Sequence, residues 1–285
     1  MEITAEMVKT LRDKTDAGMM DCKKALKETG GDMEAAIAYL RQKGLAVASK
    51  RAGRATSEGT VWAHTAPDHR SGVLLEVNCE SDFVAKTDSF QDLGSRLAEQ
   101  LAAAALETVE ELLAQPAAHQ PDLSVSDYVN EVIAKTGEKC QVRRFSRYQG
   151  DLVASYIHHG GKIGVMLELS GAGAAAEALA AARDLAMQVA AANPLAVSRE
   201  EVPADTVAKE KAIYEAQAAE SGKPANIVEK MVIGRLEKFY KEVCLLQQPF
   251  VKNPDQTVSQ FLKEVGKKLG KELQVKRFTR YQVGA

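Results

Sequence analysis

The chain repeats itself, and the repeat limits its possible folds more than any other feature. Ser124–Gly150, "SVSDYVNEVIAKTGEKCQVRRFSRYQG", lines up with Thr257–Gly284, "TVSQFLKEVGKKLGKELQVKRFTRYQVG". The offset is constant from Ser126 against Ser259 to Gln149 against Gln282. Upstream, "SGVLLEVNC" (Ser71–Cys79) matches "IGVMLELSG" (Ile163–Gly171) more loosely. An Ala/Leu-rich helical pattern follows each, "RLAEQLAAAA" in one and "DLAMQVAAAN" in the other. Self-similarity on this scale means one supersecondary unit used twice. Each copy reads as hairpin strands, a helix, a second helix and a final basic strand. The expected fold class is therefore α+β, with a core of two half-domains over residues 59–150 and 151–285.

Two stretches stand outside the repeat. Near the N-terminus, Thr4 can cap a helix with the stripe Met7, Val8 and Leu11. Gly18 precedes a second helix and Gly30-Gly31 follow it. Asp32 caps a third, with Ala36, Ile37 and Leu40 on one face and Gly44 just past its end. Residues 1–48 thus form a three-helix module, too small to be very stable alone. The basic, aperiodic segment 49–58 reads as a linker. The other stretch interrupts the second copy from about Val202 to Phe250, with an inserted hairpin at about 203–245. One helix runs from about Asp205 to Ser221, "SGKP" turns the chain, and a second continues through Val243. Val228, Val232, Leu236, Phe239 and Val243 form its stripe. At 1.5 Å per residue this is an antiparallel arm roughly 25 Å long. It is either a decoration packed on its own core or a protruding contact arm.

Composition excludes several classes of function. A net charge of −2 with 27% charged residues provides no global field for nucleic acid or an acidic membrane. Cys22, Cys79, Cys140 and Cys244 are scattered, without metal-ligand or disulfide-framework spacing, which fits a reducing compartment. The polar start "MEITAEMVKTLRDKT" has no signal core. The Ala-rich stretch from Ala174 is broken by Glu177, Arg183 and Asp184, so no membrane span is expected. The expected setting is cytoplasmic.

The copies differ most at one place. The first has "NCESDFVAK" where the second has "SGAGAAAEA". "GVLLEVNC" alternates as a half-buried strand does, and Glu80, Ser81 and Asp82 end it with Phe83 directly behind. The shared architecture does not require the Asp-Phe pair. Position alone leaves two readings: Asp82 as a helix cap with Phe83 in the core, or an acid and an aromatic offered to a partner.

"LRDKTDAGMMDCKKAL", "LEVNCESDFVAK", "HHGGKIGVMLEL", "SGKPANIVEKMVIGRLEKF" and "QPFV" occur in this order, and the chain closes near "RYQVG". With these motifs it resembles bacterial elongation factor Ts over almost its whole length. The resemblance implies an N-terminal module similar to ubiquitin-associated domains, a two-halved core and a helical hairpin inserted in the second half. It implies a guanine-nucleotide exchange factor for elongation factor Tu, acting on its GDP-bound and nucleotide-free forms. No covalent chemistry, cofactor, metal, DNA, membrane or direct nucleotide binding is expected. Phe83 would be the wedge that displaces the partner's Mg²⁺, Asp82 an acid competing for nearby groups, and Ser81, Val84, Ala85 and Lys86 the rest of the intruding segment. Arg12, Met19, Met20 and Lys23 would face a helix of the GTPase; core packing is the alternative for the two methionines. Gly137 and His159 would meet the other end of the partner. Ser81 replaces the usual Thr of the core motif, keeping the hydroxyl, and Thr136 stands where some relatives have an aliphatic residue. Some members also continue past the position of Ala285 into a further helical module.

The runner-up is RNA binding: "QVRRFSRYQ" and "QVKRFTRYQ" interleave Arg with aromatics. Against it stand the acidic balance, the missing Gly-aromatic pattern and the habit of Arg stems of covering sheet edges. No nucleophile–base pair or phosphate loop marks an enzyme. "GGKIG" (Gly160–Gly164) reads as a hairpin turn, and His158-His159 lack partners at metal spacing.

Overall fold

Two three-stranded antiparallel sheets, one from each copy, lie face to face with their helices outside. This computed structural model describes residues 2–15, 17–173, 175–220 and 224–285. The N-terminal module holds α1 (Ala5–Thr15), α2 (Met19–Glu28) and α3 (Met33–Arg51). The first copy begins with β1 (Glu58–Thr65), β2 (Ser71–Cys79), α4 (Asp82–Ala85), α5 (Asp88–Ala103) and α6 (Val109–Ala114). It continues with β3 (Pro116–Ala117), β4 (Gln120–Ser124), α7 (Val125–Thr136) and β5 (Cys140–Gln149). The second copy holds β6 (Leu152–His158), β7 (Ile163–Ser170), α8 (Ala176–Ala192), α9 (Ala204–Ala219) and α10 (Ala225–Val243). After these come β8 (Pro249–Phe250), β9 (Asn253–Thr257), α11 (Val258–Leu269) and β10 (Gln274–Gln282).

The duplication extends to register. The sheets run β1-β2-β5 and β6-β7-β10, with Leu75 opposite Phe145 in one and Leu167 opposite Phe278 in the other. Both final strands carry a bulge at the same place, Arg143 and Lys276. Both second helices start in a capping box (Ser124 with Asp127, Thr257 with Gln260) and stop at a left-handed glycine, Gly137 or Gly270. Even the short hairpins β3–β4 and β8–β9 pair alike, so the constant offset reaches back to Gln115 and Gln248. Upstream of Ser126, Gln115, Pro116, Pro121, Asp122 and Val125 recur at that offset among residues that differ.

Stacking the sheets overturns the half-buried reading of β2. Val73, Leu75, Val77 and Cys79 face the helices, while Leu74 joins Val61, Tyr148, Val153, Met166 and Tyr281 between the sheets. Glu76 and Asn78, the polar half of the alternation, are fully buried. The second sheet covers the face that one copy alone would leave wet. Glu76 is compensated by Arg144 Nε at 2.7 Å and Asn78 Nδ2 at 3.0 Å.

The third helix is longer than expected. α3 runs straight through Gly44 to Arg51, and Gly44 is buried. A Cβ there would lie 3.1 Å from the Cβ of Ala134 on α7. Gly44 therefore permits close approach of two helices and does not stop one. The expected linker shrinks accordingly: Ser49–Arg51 are helical and Glu58 already lies in β1. What remains is tied down, with Lys139 Nζ on the carbonyls of Ala52 (2.7 Å) and Arg54 (3.1 Å) and Gln141 on Thr56. The module's own core is Val8, Leu11, Cys22, Ala25, Leu26 and Ala36, while Ile37 of the expected stripe is partly exposed.

The arm is present as α9 and α10; Ser221–Lys223 of the expected turn lie outside the described residues. Val232 and Phe239 are buried, and Val228, Leu236 and Val243 half-buried. At its base Phe239 packs with Ala196, Val202 and Cys244, and Arg199 grips Glu237 through two bonds.

Candidate functional site: an exposed aromatic on a pinned turn

The strand that ends at Cys79 delivers the chain into a one-turn helix. Ser81, in extended conformation, caps α4 by accepting from the Val84 amide at 3.3 Å. The cap is thus Ser81, not Asp82. Val84 and Ala85 are buried in the first copy's core. They anchor the turn, so they are not part of an exposed intruding surface. Phe83 points the other way and is 80% exposed. It is not a core residue. Asp82 pairs with Lys86 at 2.7 Å, and that hydrogen bond holds its carboxyl below the usual range and raises the lysine. Behind the turn Gln91 Nε2 donates to the Ala85 carbonyl at 2.6 Å, and Thr87 Oγ1 to that of Val84 at 2.8 Å.

Two carboxylates pin the entrance. Glu138 accepts from Ser81 N (3.0 Å) and Ser81 Oγ (2.8 Å). Glu80 accepts from the Lys139 amide at 2.7 Å and from Arg51 (2.9 Å) and Arg54 (3.2 Å). Burial works to raise the Glu80 pKa, but the Lys139 amide and the two arginines overcome it and hold it at about 2. Sequence reading missed both residues as parts of the site. In the sequence Glu80 reads as a strand end, and nothing local marks Glu138, which meets Ser81 only through the fold.

The other expected positions fall into two groups. Gly137 is the left-handed stop of α7 and directly precedes Glu138, so it borders the Phe83 turn. His159, exposed and at positive φ, sits in the β6–β7 turn. Lys162 of that turn bonds Glu58 and the Gly59 carbonyl of β1, and its charge reaches Asp82. The turn is the hairpin expected for "GGKIG", and His158 is engaged by the Tyr156 hydroxyl at 2.8 Å. Arg12, Met19, Met20 and Lys23 lie where α1 ends and α2 begins, all exposed. Met19 is 59% and Met20 75% exposed, so neither packs in the module's core.

The arginine–aromatic strands serve the joint between the halves. Arg144 lies 4.3 Å over the Tyr281 ring, and Arg277 lies 4.1 Å over that of Tyr148. Tyr281 hydroxyl bonds Ser146 at 2.7 Å, and Tyr148 bonds Thr279 at 2.8 Å. Each arginine also holds an acid of its own sheet, Glu76 or Glu168. This is a reciprocal, two-fold-like lock. Both tyrosines are buried, and Phe145 and Phe278 pack against the helical cores, which leaves no aromatic stacking platform for bases.

Among the described residues no group of three or more His, Cys, Asp or Glu could hold a metal ion, and no helix is long and apolar enough to cross a membrane. Fold and site together are a duplicated α+β core with an exposed aromatic beside an acid on one turn. The model of the family described as "Elongation factor TS" matches residues 80–285. A protein named elongation factor Ts from Clostridium perfringens (strain SM101 / Type A) is 48% identical, covering 99% of this chain and 93% of its own. One from Clostridium botulinum (strain ATCC 19397 / Type A) is 46% identical, over 99% and 92%. The chain belongs to the elongation factor Ts family, elongation factors of protein biosynthesis.

Proposed function

We propose that this protein is a guanine-nucleotide exchange factor for elongation factor Tu, and that the Asp82–Phe83 turn is the element that loosens the nucleotide. A P-loop GTPase holds GDP through backbone N–H groups around the phosphates and a bridging Mg²⁺. An exchange factor makes and breaks no covalent bond. It must bind the nucleotide-free partner better than the GDP form, and linkage then weakens GDP by the same factor. A thousandfold weakening takes about 4 kcal/mol of differential binding. Phe83 supplies apolar surface for that purpose by entering beside the Mg²⁺-holding region. Asp82, held below the usual carboxylate range by its hydrogen bond with exposed Lys86, supplies a competing negative charge. Val84 and Ala85 carry none of this contact; buried, they hold the turn in place. Arg12, Met19, Met20 and Lys23 form a second contact, and Gly137 and His159 a third.

The observation that carries the reading is Phe83, 80% exposed on a turn held at Ser81 by Glu138, at Val84 by the Ser81 cap and at Ala85 by Gln91. Ordering costs are met before binding, so burial of the ring goes into differential affinity. The test is release of fluorescent GDP from elongation factor Tu under excess unlabelled GDP. Catalytic amounts of this protein should speed it; folded protein without effect would sink the proposal.

A further inference from the structure

We infer that Glu138 is a positioning residue for exchange: its carboxylate locks the turn bearing Phe83 to the turn bearing Gly137, so that the partner meets them as one rigid surface. The inference rests on the exchange reading above. A helix of one turn does not hold its own shape, because nucleation is unfavourable. The orientation of α4 must come from outside it. Glu138 provides it through two charge-assisted bonds to Ser81, 3.0 Å from the amide and 2.8 Å from the hydroxyl. With the hydroxyl proton committed to Glu138, the Ser81 oxygen is free to accept from Val84. The arrangement is reciprocal, since Glu80 accepts from the Lys139 amide in return. The dipeptides Glu80-Ser81 and Glu138-Lys139 are therefore cross-bonded. Arg51 and Arg54 hold Glu80 from the end of the N-terminal module, extending the lock to α3 and the segment after it.

The second copy shows that the fold does not require this device. There the residue equivalent to Glu138 is Lys271, which donates to the Ala172 carbonyl at 3.1 Å. The turn amides of Ala172 and Gly173 are instead held by Asp151, from the joint between the copies. A carboxylate clamps both turns. Only in the copy that carries Phe83 does it come from the turn after the second helix.

The experiment is a double-mutant cycle on fluorescent GDP release from elongation factor Tu, at saturating and at half-saturating protein. Glu138→Ala should lower the saturating rate about tenfold, the worth of a charge-assisted hydrogen bond. The half-saturating concentration should move less than about threefold, since the contact through Arg12, Met19, Met20 and Lys23 is left in place and binds the GDP-bound and nucleotide-free partner alike. Glu138→Gln keeps the length and one of the two acceptor oxygens but not the charge, so it should recover part of the rate and fall between Glu138→Ala and wild type. In a Phe83→Ala background Glu138→Ala should cost less than about twofold, because a residue acting through Phe83 has nothing left to position. An equal tenfold loss in both backgrounds, or no loss in either, overturns the inference. If Glu138→Ala does not fold, Ser81→Ala takes its place in the cycle with the same expectations. A Phe83→Ala protein as fast as wild type would instead refute the wedge, and the lock with it. A slow Phe83→Ala with additive Glu138 loss removes the lock alone.

Discussion

Replacing Phe83 by alanine should separate function from folding, and the structure sets both magnitudes. A phenylalanine side chain has about 200 Å² to bury. With 80% of it exposed, about 160 Å² is left for a partner. At about 25 cal/mol per Å² that is ~4 kcal/mol, an upper bound because alanine keeps its Cβ. Interface aromatics of this kind lose about 2 kcal/mol or more on truncation. Phe83→Ala should therefore slow stimulated GDP release roughly thirtyfold or more. Folding should hardly notice. The side chain leaves no cavity, so the change should stay within about 0.5 kcal/mol, or ~2 °C in Tm for a chain of this size. Both quantities are read on one preparation, by fluorescent-GDP release and by thermal unfolding. Unchanged release would refute the wedge. A Tm lower by about 5 °C or more would show that the ring supports the fold after all.

Three further outcomes are expected. Glu80, held at about 2 when folded against 4.5 unperturbed, stabilises the fold above the unfolded value, and that contribution is lost as pH falls from about 4.5 towards 2. The stability gap between wild type and Glu80→Gln should thus shrink steadily as pH falls from about 4.5 towards 2, and a gap of undiminished size at pH 2 would contradict it. Gly44→Leu cannot fit against Ala134, so the N-terminal module should undock while keeping its own core. Trypsin should then cut at Arg51 and Arg54 at least several-fold faster; unchanged digestion would show the contact to be dispensable. Tyr148→Phe and Tyr281→Phe each remove a hydroxyl bond across the joint and should each cost about 1 kcal/mol in denaturant unfolding. No loss in either would count against the lock between the halves.

Local chemistry made much of this protein legible. Asp32 caps α3 as its place in the chain predicts, because a cap depends on a few neighbouring residues. Gly44 misled for the same reason. A glycine at a plausible helix end satisfies a stop rule, and only the closeness of Ala134 shows why it is there. Glu76 and Asn78 read as a wet face because the alternation of one strand does not say how many layers will cover it. Within the site, Phe83 and Asp82 stood out as a departure from the repeat. The resemblance implies that Val84 and Ala85 belong to the same exposed segment, but a helical turn sends neighbouring side chains in different directions and these two are buried.

The sequence by itself determined the α+β class, the duplication, the inserted arm and the place where the copies diverge. Each is written in periodicity or in self-comparison over short stretches of chain. Tertiary structure alone decided the rest: that the sheets stack, that the Arg–aromatic strands lock the halves, and that Glu138 reaches Ser81. Those facts join residues far apart in the chain, and no rule of local spacing encodes a contact that only packing creates.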